Sequence, residues 1–338
     1  MKLAGRRTVR LAIFVLGLVG LVIAFRGAVD GSQGQALPDA PALIVAGILT
    51  FASLILAGQA WIRLFDDRHD RRALAVSLYA SQLTKYLPAG GFVQAAGQVS
   101  MTVTAGAGLG QAATATAVMA FTTVVAGCTL SAGLVIAESL PAWLRAISLL
   151  GLLAPVLLHR RVLAVALHAA HRLVRRVPDP DSLPSQRRLL VSYAWALGNA
   201  LAGSAAYAVL LRSPGVSTDR VTVIAAFAFS WVVGFLVFPL PGGIGVREAV
   251  LVAVVPGASS AALLGASLAQ RFLVLASEVL VALGSQLFVW SGRRERPAST
   301  AGVAPDASHR PTPHTDGAEG AGPPAIEDVR TGPARDAR

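Results

Sequence analysis

Arg247 and Glu248 stand side by side just after Phe238-Pro-Leu-Pro-Gly-Gly-Ile-Gly-Val246, a run of prolines and glycines set inside an apolar sequence. Such a run leaves backbone N–H groups unpaired, which at membrane depth is tolerated only where protein or a watery cavity surrounds it. A half-helix starting after Gly242-Gly243 exposes free N–H groups and a partial positive charge, and so suits an anion. Arg247 in its first turn adds a planar, permanently charged fork that matches phosphate. A second break of the same kind lies earlier, in Lys85-Tyr-Leu-Pro-Ala-Gly-Gly-Phe-Val-Gln94. Each break ends an apolar helix with Leu-Pro, turns on paired glycines and resumes with a polar side chain. Interrupted apolar segments in corresponding places of two halves point to a transporter-like binding site and to a possible inverted repeat.

The chemistry expected is therefore binding of an anionic headgroup. Lys85, Arg247 and Arg271 are the expected contacts, with Glu248 and Glu278 as their counter-charges. Tyr86, Gly90, Gly91, Gln94, Gly242, Gly243 and Gly245 complete the expected substrate site, the two Gly-Gly breaks acting as cavity walls or gates. Apart from Lys2, Lys85 is the only lysine of the chain. Arg271 and Glu278, seven residues apart, share a helix face, as do Gln94 and Gln98 at i,i+4. Structural alternatives stand beside each reading. Lys85 reaches a nearby interface by snorkelling, Arg247 and Glu248 form ion pairs that only seal the break, or the glutamines act as interhelical hydrogen-bonding glue.

Other chemistry is poorly served. His168 and His171 lie at i,i+3 in a basic segment without carboxylate or thiolate company, which favours a solvated amphipathic surface over a metal site. Gly243-Ile-Gly245 lacks the βαβ setting of a dinucleotide fingerprint, and there is no phosphate-binding Walker loop and no Gly-x-Ser-x-Gly elbow. Ser81 and Lys85 are four apart, so a Ser-x-x-Lys pattern fails. The single cysteine, Cys128, permits no intrachain disulfide. We expect no catalytic residue, no metal and no cofactor.

The elements that must position these residues are membrane helices. Of 338 residues, 54% are hydrophobic and 14% charged, too few charges to cover a soluble surface. The expected fold is all-α, a polytopic membrane helix bundle of about eight crossings. Full spans are read at Leu11–Val29, Pro41–Ile62, Ala112–Ala137, Trp143–Leu158, Leu189–Leu211, Val221–Phe238 and Ser267–Trp290. Ala73–Gly110 and Pro239–Gly265 are read as broken or re-entrant. The Leu11–Val29 run is read as a retained helix rather than a cleaved signal.

Arginine clusters at the N-terminus, at Arg63 to Arg72 and from Arg160 to Arg188, which places those loops and both termini in the cytoplasm of a bacterial inner membrane. The net charge of +11 then reflects topology rather than nucleic-acid binding. Residues 1–292 form the expected membrane domain, and 293–338 a cytoplasmic tail too rich in Pro, Gly, Ala and charge to pack a core.

The order Lys85-Tyr-Leu-Pro with Gly-Gly, then Pro-Gly-Gly-Ile-Gly-Val-Arg-Glu-Ala, then Arg271 in Ala-Gln-Arg-Phe resembles the lysylphosphatidylglycerol synthase transmembrane-region family, over roughly residues 10–290. The resemblance implies a stand-alone flippase-like membrane domain without a transferase domain. Its implied function is to bind and translocate an anionic phospholipid, an aminoacylated lipid or a polyprenyl-phosphate-linked lipid. The stretch Ala117-Val-Met-Ala-Phe-Thr-Thr123 departs from the Glu-Arg pair frequent in that family, which leaves the lipid open. A proton-coupled transporter of a small solute is a second reading, and a scaffold for a separate glycosyl- or aminoacyl-transferase a third. Membrane lipid is the expected partner, and the oligomeric state is left open.

Overall fold

The computed structural model describes residues 38–86, 90–174, 182–211, 218–236, 245–255 and 257–294, the side chains at 86, 90, 91, 170–174 and 285–294 excepted. These residues form α- and 3-10 helices, with no strand among them. The chain divides into two compact units, Met1–Gly292 and Arg293–Arg338. The helices below belong to the first, apart from the last two residues of the final one.

In chain order the α-helices are α1 (Ala40–Ile62), α2 (Arg71–Gln82), α3 (Gly90–Thr104), α4 (Leu109–Ser131), α5 (Ala142–Leu149), α6 (Arg160–Val174), α7 (Gln186–Leu210), α8 (Arg220–Leu236), α9 (Val246–Val254) and α10 (Ser260–Arg294). Short 3-10 segments extend α2 over Leu83–Tyr86, α4 over Ala132–Ile136 and α5 over Leu150–Leu158. Among the described residues, four stretches are long and apolar enough to cross a bilayer: Ala40–Ile62, Leu109–Ile136, Gln186–Leu210 and Ser260–Gly284. A fifth arises if Ala142–Leu158 counts together with the helix after it, from which it is bent by 86°. The Arg220–Leu236 helix is apolar but shorter. The expected span Leu11–Val29 lies outside the described residues.

Local chemistry sets the boundaries. Asp39 caps α1 by accepting from the Ala42 N–H at 3.0 Å, with Pro41 in the first turn where its missing N–H costs nothing. Asp219 accepts from the N–H groups of Val221 and Thr222 at the start of α8. Burial raises the Asp219 carboxyl, but the Thr222 hydroxyl and these N–H groups outweigh it, so it sits below its usual range. The end of α3 is a Schellman turn: Gly106 takes φ 98°, and the N–H groups of Gly106 and Ala107 return to the carbonyls of Val103 and Thr102. That turn parts α3 from α4, and Ala73–Gly110, expected as broken or re-entrant, holds the two half-length helices α2 and α3. The final helix starts at Ser260 rather than Ser267, because Ser259 accepts from the Ala262 N–H at 3.2 Å and opens it earlier.

Packing is organised by small residues. Helices α1 and α7 run together, with the Ser192 hydroxyl donating to the Ala60 carbonyl at 2.8 Å. One apolar core gathers around Tyr207, Phe227, Leu251 and Leu263, and a second around Trp61, Leu74, Val118 and Leu189. Outside them, Ile44, Ile48 and Leu280 stand exposed on the long helices, and Leu152, Leu153 and Val156 on the 3-10 extension of α5. An apolar exterior of that extent fits hydrocarbon as the solvent. The loop after α1 is polar instead: Arg71 pairs with Asp67 at 2.7 Å. The Asp67 carboxyl is held below its usual range, first by that hydrogen bond and charge and further by Arg188 and Arg63.

Gly151 lies against the backbone of α4, where a Cβ would fall 2.0 Å from the Cys128 carbonyl oxygen. A backbone atom cannot swing aside, so Gly151→Ala should lower stability by about 1–3 kcal/mol. Gly203→Ala, facing open space, should not. Thermal denaturation of both variants in detergent checks this.

Candidate functional site

The two breaks meet on one helix. Ser267, Arg271 and Glu278 occur at i, i+4 and i+11 of α10, which puts them on a single face. Each break sends a charged side chain to that face.

From the second break comes α9. Its first turn starts at Gly245, whose φ of 86° is a conformation few side chains tolerate. That turn aims Glu248 at α10. One carboxylate oxygen of Glu248 accepts from Arg271 Nη2 at 2.8 Å and Nε at 3.2 Å, and from the Ser267 hydroxyl at 2.8 Å. The other accepts from the Gly245 N–H at 2.8 Å, closing half of a capping box. Both partners are largely out of solvent, Glu248 at 16% and Arg271 at 23% side-chain exposure.

From the first break comes Lys85, in the 3-10 turn that ends α2, with its ammonium on the Glu278 carboxylate. Glu278 is 1% exposed and Lys85 28%. Of the two partners offered to Lys85 by sequence, Glu278 is therefore the one engaged. The two pairs stand seven residues apart on α10, about 10 Å along its axis.

Arg247 is different. Its guanidinium lies over the Phe227 ring, 5.0 Å from the centroid. Its Nε is shut off from solvent without a hydrogen-bond partner, and no carboxylate pairs with it among the described residues. Phe227 in turn stacks on Tyr207 at 4.6 Å, and Tyr207 donates to the Leu263 carbonyl at 3.1 Å. Three cations thus face two carboxylates, and the surplus charge is Arg247.

The remaining expected residues are placed unequally. Gly90 and Gly91 open α3, and Tyr86 ends the 3-10 turn before it. Gln94 donates to Gln82 across α2 and α3 at 3.1 Å, which is the interhelical role. Gln98 is buried with its amide nitrogen unpartnered, beside Thr102 and Ser77, which bond to each other at 3.1 Å. Gly242 and Gly243 lie outside the described residues. Sequence reasoning missed Ser267 and Phe227. Ser267 was legible as the residue four before Arg271, whereas Phe227 lies in an unbroken apolar helix and gave no signal.

An apolar groove of about 400 Å³, lined among others by Thr129, Leu130, Leu152, Leu201 and Val221, contains none of the five charges. No three His, Cys, Asp or Glu side chains among the described residues converge as metal ligands. No family model matches this chain, and no curated protein sequence does. The site must be read from its own chemistry, which is that of a neutralised charge network with one cation left over.

Removing one member of the Lys85–Glu278 pair takes an opposite charge away from the other. Lys85→Met should cost about 3–5 kcal/mol through loss of the charge beside buried Glu278, and Lys85→Met with Glu278→Leu should recover most of it. Chemical denaturation in detergent of the single and double variants reads the difference.

Proposed function

We propose that this chain is a multi-pass membrane protein that binds a phosphate-bearing lipid and moves it across the bilayer. What supports this is Arg247: a half-buried guanidinium without a carboxylate partner among the described residues, next in the chain to Glu248, which Arg271 already engages. An unpaired cation in apolar surroundings is costly, and a phosphate would offset that cost with charge-assisted hydrogen bonds. Arg271, on α10, and Lys85, which reaches the same face of α10 from the end of α2, would extend the anion's path along that helix by exchanging their carboxylates for it. The apolar exterior supplies the setting, and the acyl chains would stay in the bilayer.

The finer reading carries the sequence expectations with it. About eight crossings, with both termini on the arginine-rich cytoplasmic side of a bacterial inner membrane, would follow from the short helices pairing across the breaks. Membership in the lysylphosphatidylglycerol synthase transmembrane-region family would fit the motifs. A second reading is a proton-coupled transporter of a small anion, favoured by the depth at which the carboxylate of Glu278 is buried beside Lys85.

Mass spectrometry of lipids retained on the purified protein separates these readings. Arg247→Lys should lose most of the retained anionic lipid although it keeps the charge, since an ammonium lacks the planar fork. Arg247→Ala should lose it with little loss of folded protein. Wild-type retention in both variants would refute the lipid reading, and anion flux without lipid retention would establish the second. Reporter fusions after Trp290 and within residues 213–218 should report opposite sides of the membrane.

A further inference from the structure

We propose that α6 lies flat in the headgroup layer and binds anionic phospholipid along its exposed side. This stands apart from the transport reading and needs only that the long helices, and the apolar stretch Ala142–Leu158 without α6, cross a bilayer. The bend of 86° at His159 turns α6 nearly perpendicular to Ala142–Leu158. If that apolar stretch runs across the membrane, α6 runs along its surface. The start of α6 is tied to the start of a spanning helix, because the Arg160 N–H donates to Gln186 Oε1 at 2.8 Å.

Three faces divide the helix at 100° per residue. Leu163 and Leu167 are buried and join Trp61, Leu64, Phe65 and Leu183 in the core at the end of α1. Val162 and Val165 point away from that core and are exposed, Val165 at 71%. Arg161 and His168 occupy the third face, also exposed. A helix resting on the protein with one side needs no second apolar face if water bathes it. The valine face is explained if it meets acyl chains, and the adjoining Arg161 then sits at phosphate level. Charge selects the occupant: Arg160, Arg161 and Arg187 are all exposed at this end of the bundle, a field complementary to an anionic lipid surface.

The test uses the full chain with Cys128→Ala and one new cysteine, Val165→Cys or His168→Cys, labelled with bimane. The protein is placed in nanodiscs of phosphatidylcholine, alone or mixed with phosphatidylglycerol. Lipids brominated on their chains should quench the label at 165 about twofold or more above that at 168. Phosphatidylglycerol spin-labelled near its headgroup should quench 168 more than the matching phosphatidylcholine. That preference should fall about fivefold for each of Arg160→Gln and Arg161→Gln, and vanish at about 1 M salt. Equal quenching of 165 and 168 by brominated chains would overturn the placement of the helix. Equal quenching by the two spin-labelled lipids would overturn the anionic preference.

Discussion

The constraint on which the rest of the arrangement depends is the burial of Glu278. A carboxylate 1% exposed on an apolar helix must be paired, and its partner arrives from the only place where this chain interrupts an early helix with a lysine. The interruption has to stop where Lys85 can reach, so the length of α2 and its 3-10 extension follow from the position of Glu278. The second break repeats the logic with the signs reversed. There α10 offers the cation, Arg271, and the half-helix brings the acid, Glu248. Both pairs are largely withdrawn from solvent, so each attraction is screened less than it would be on an exposed surface.

How much of this was legible depended on which physical signal carried it. The long helices were written in apolar runs, and Ala40–Ile62, Leu109–Ile136 and Gln186–Leu210 fall within a few residues of the expected spans. The two breaks were written in proline and glycine. The five charged residues were legible because ionisable side chains are rare in such sequences. Pairing was only partly legible, since helix periodicity placed Arg271 and Glu278 on one face but did not say which break reached which. The true start of α10 was hidden because a serine cap resembles any other serine, and Gly265 inside a helix resembles a terminator. Phe227 was invisible: its role comes from the ring that happens to lie under Arg247, and nothing in an apolar run marks one aromatic from another.

The polar contacts away from the charges show the same economy of means. Serine and threonine hydroxyls mostly bond to carbonyls one turn back in their own helices, as Ser77 does with Leu74 and Ser131 with Gly127, which satisfies them without a neighbour. A few reach across instead, such as Ser192 to Ala60, and the Tyr193 hydroxyl does the same to Thr129. Those few fix which helices touch, while glycines such as Gly127 and Gly151, with little room for a Cβ, fix how closely they approach.

Because both breaks report to one face of α10, that helix behaves as a common axle. A rotation of α10 by one residue, about 100°, would carry Arg271 and Glu278 away from their partners in the same stroke. A slide by one turn, about 5.4 Å, would misalign both pairs by an equal amount. Neither half-helix can therefore be released by moving α10 while the other stays seated. The two interruptions, far apart in sequence, are geared to a single degree of freedom.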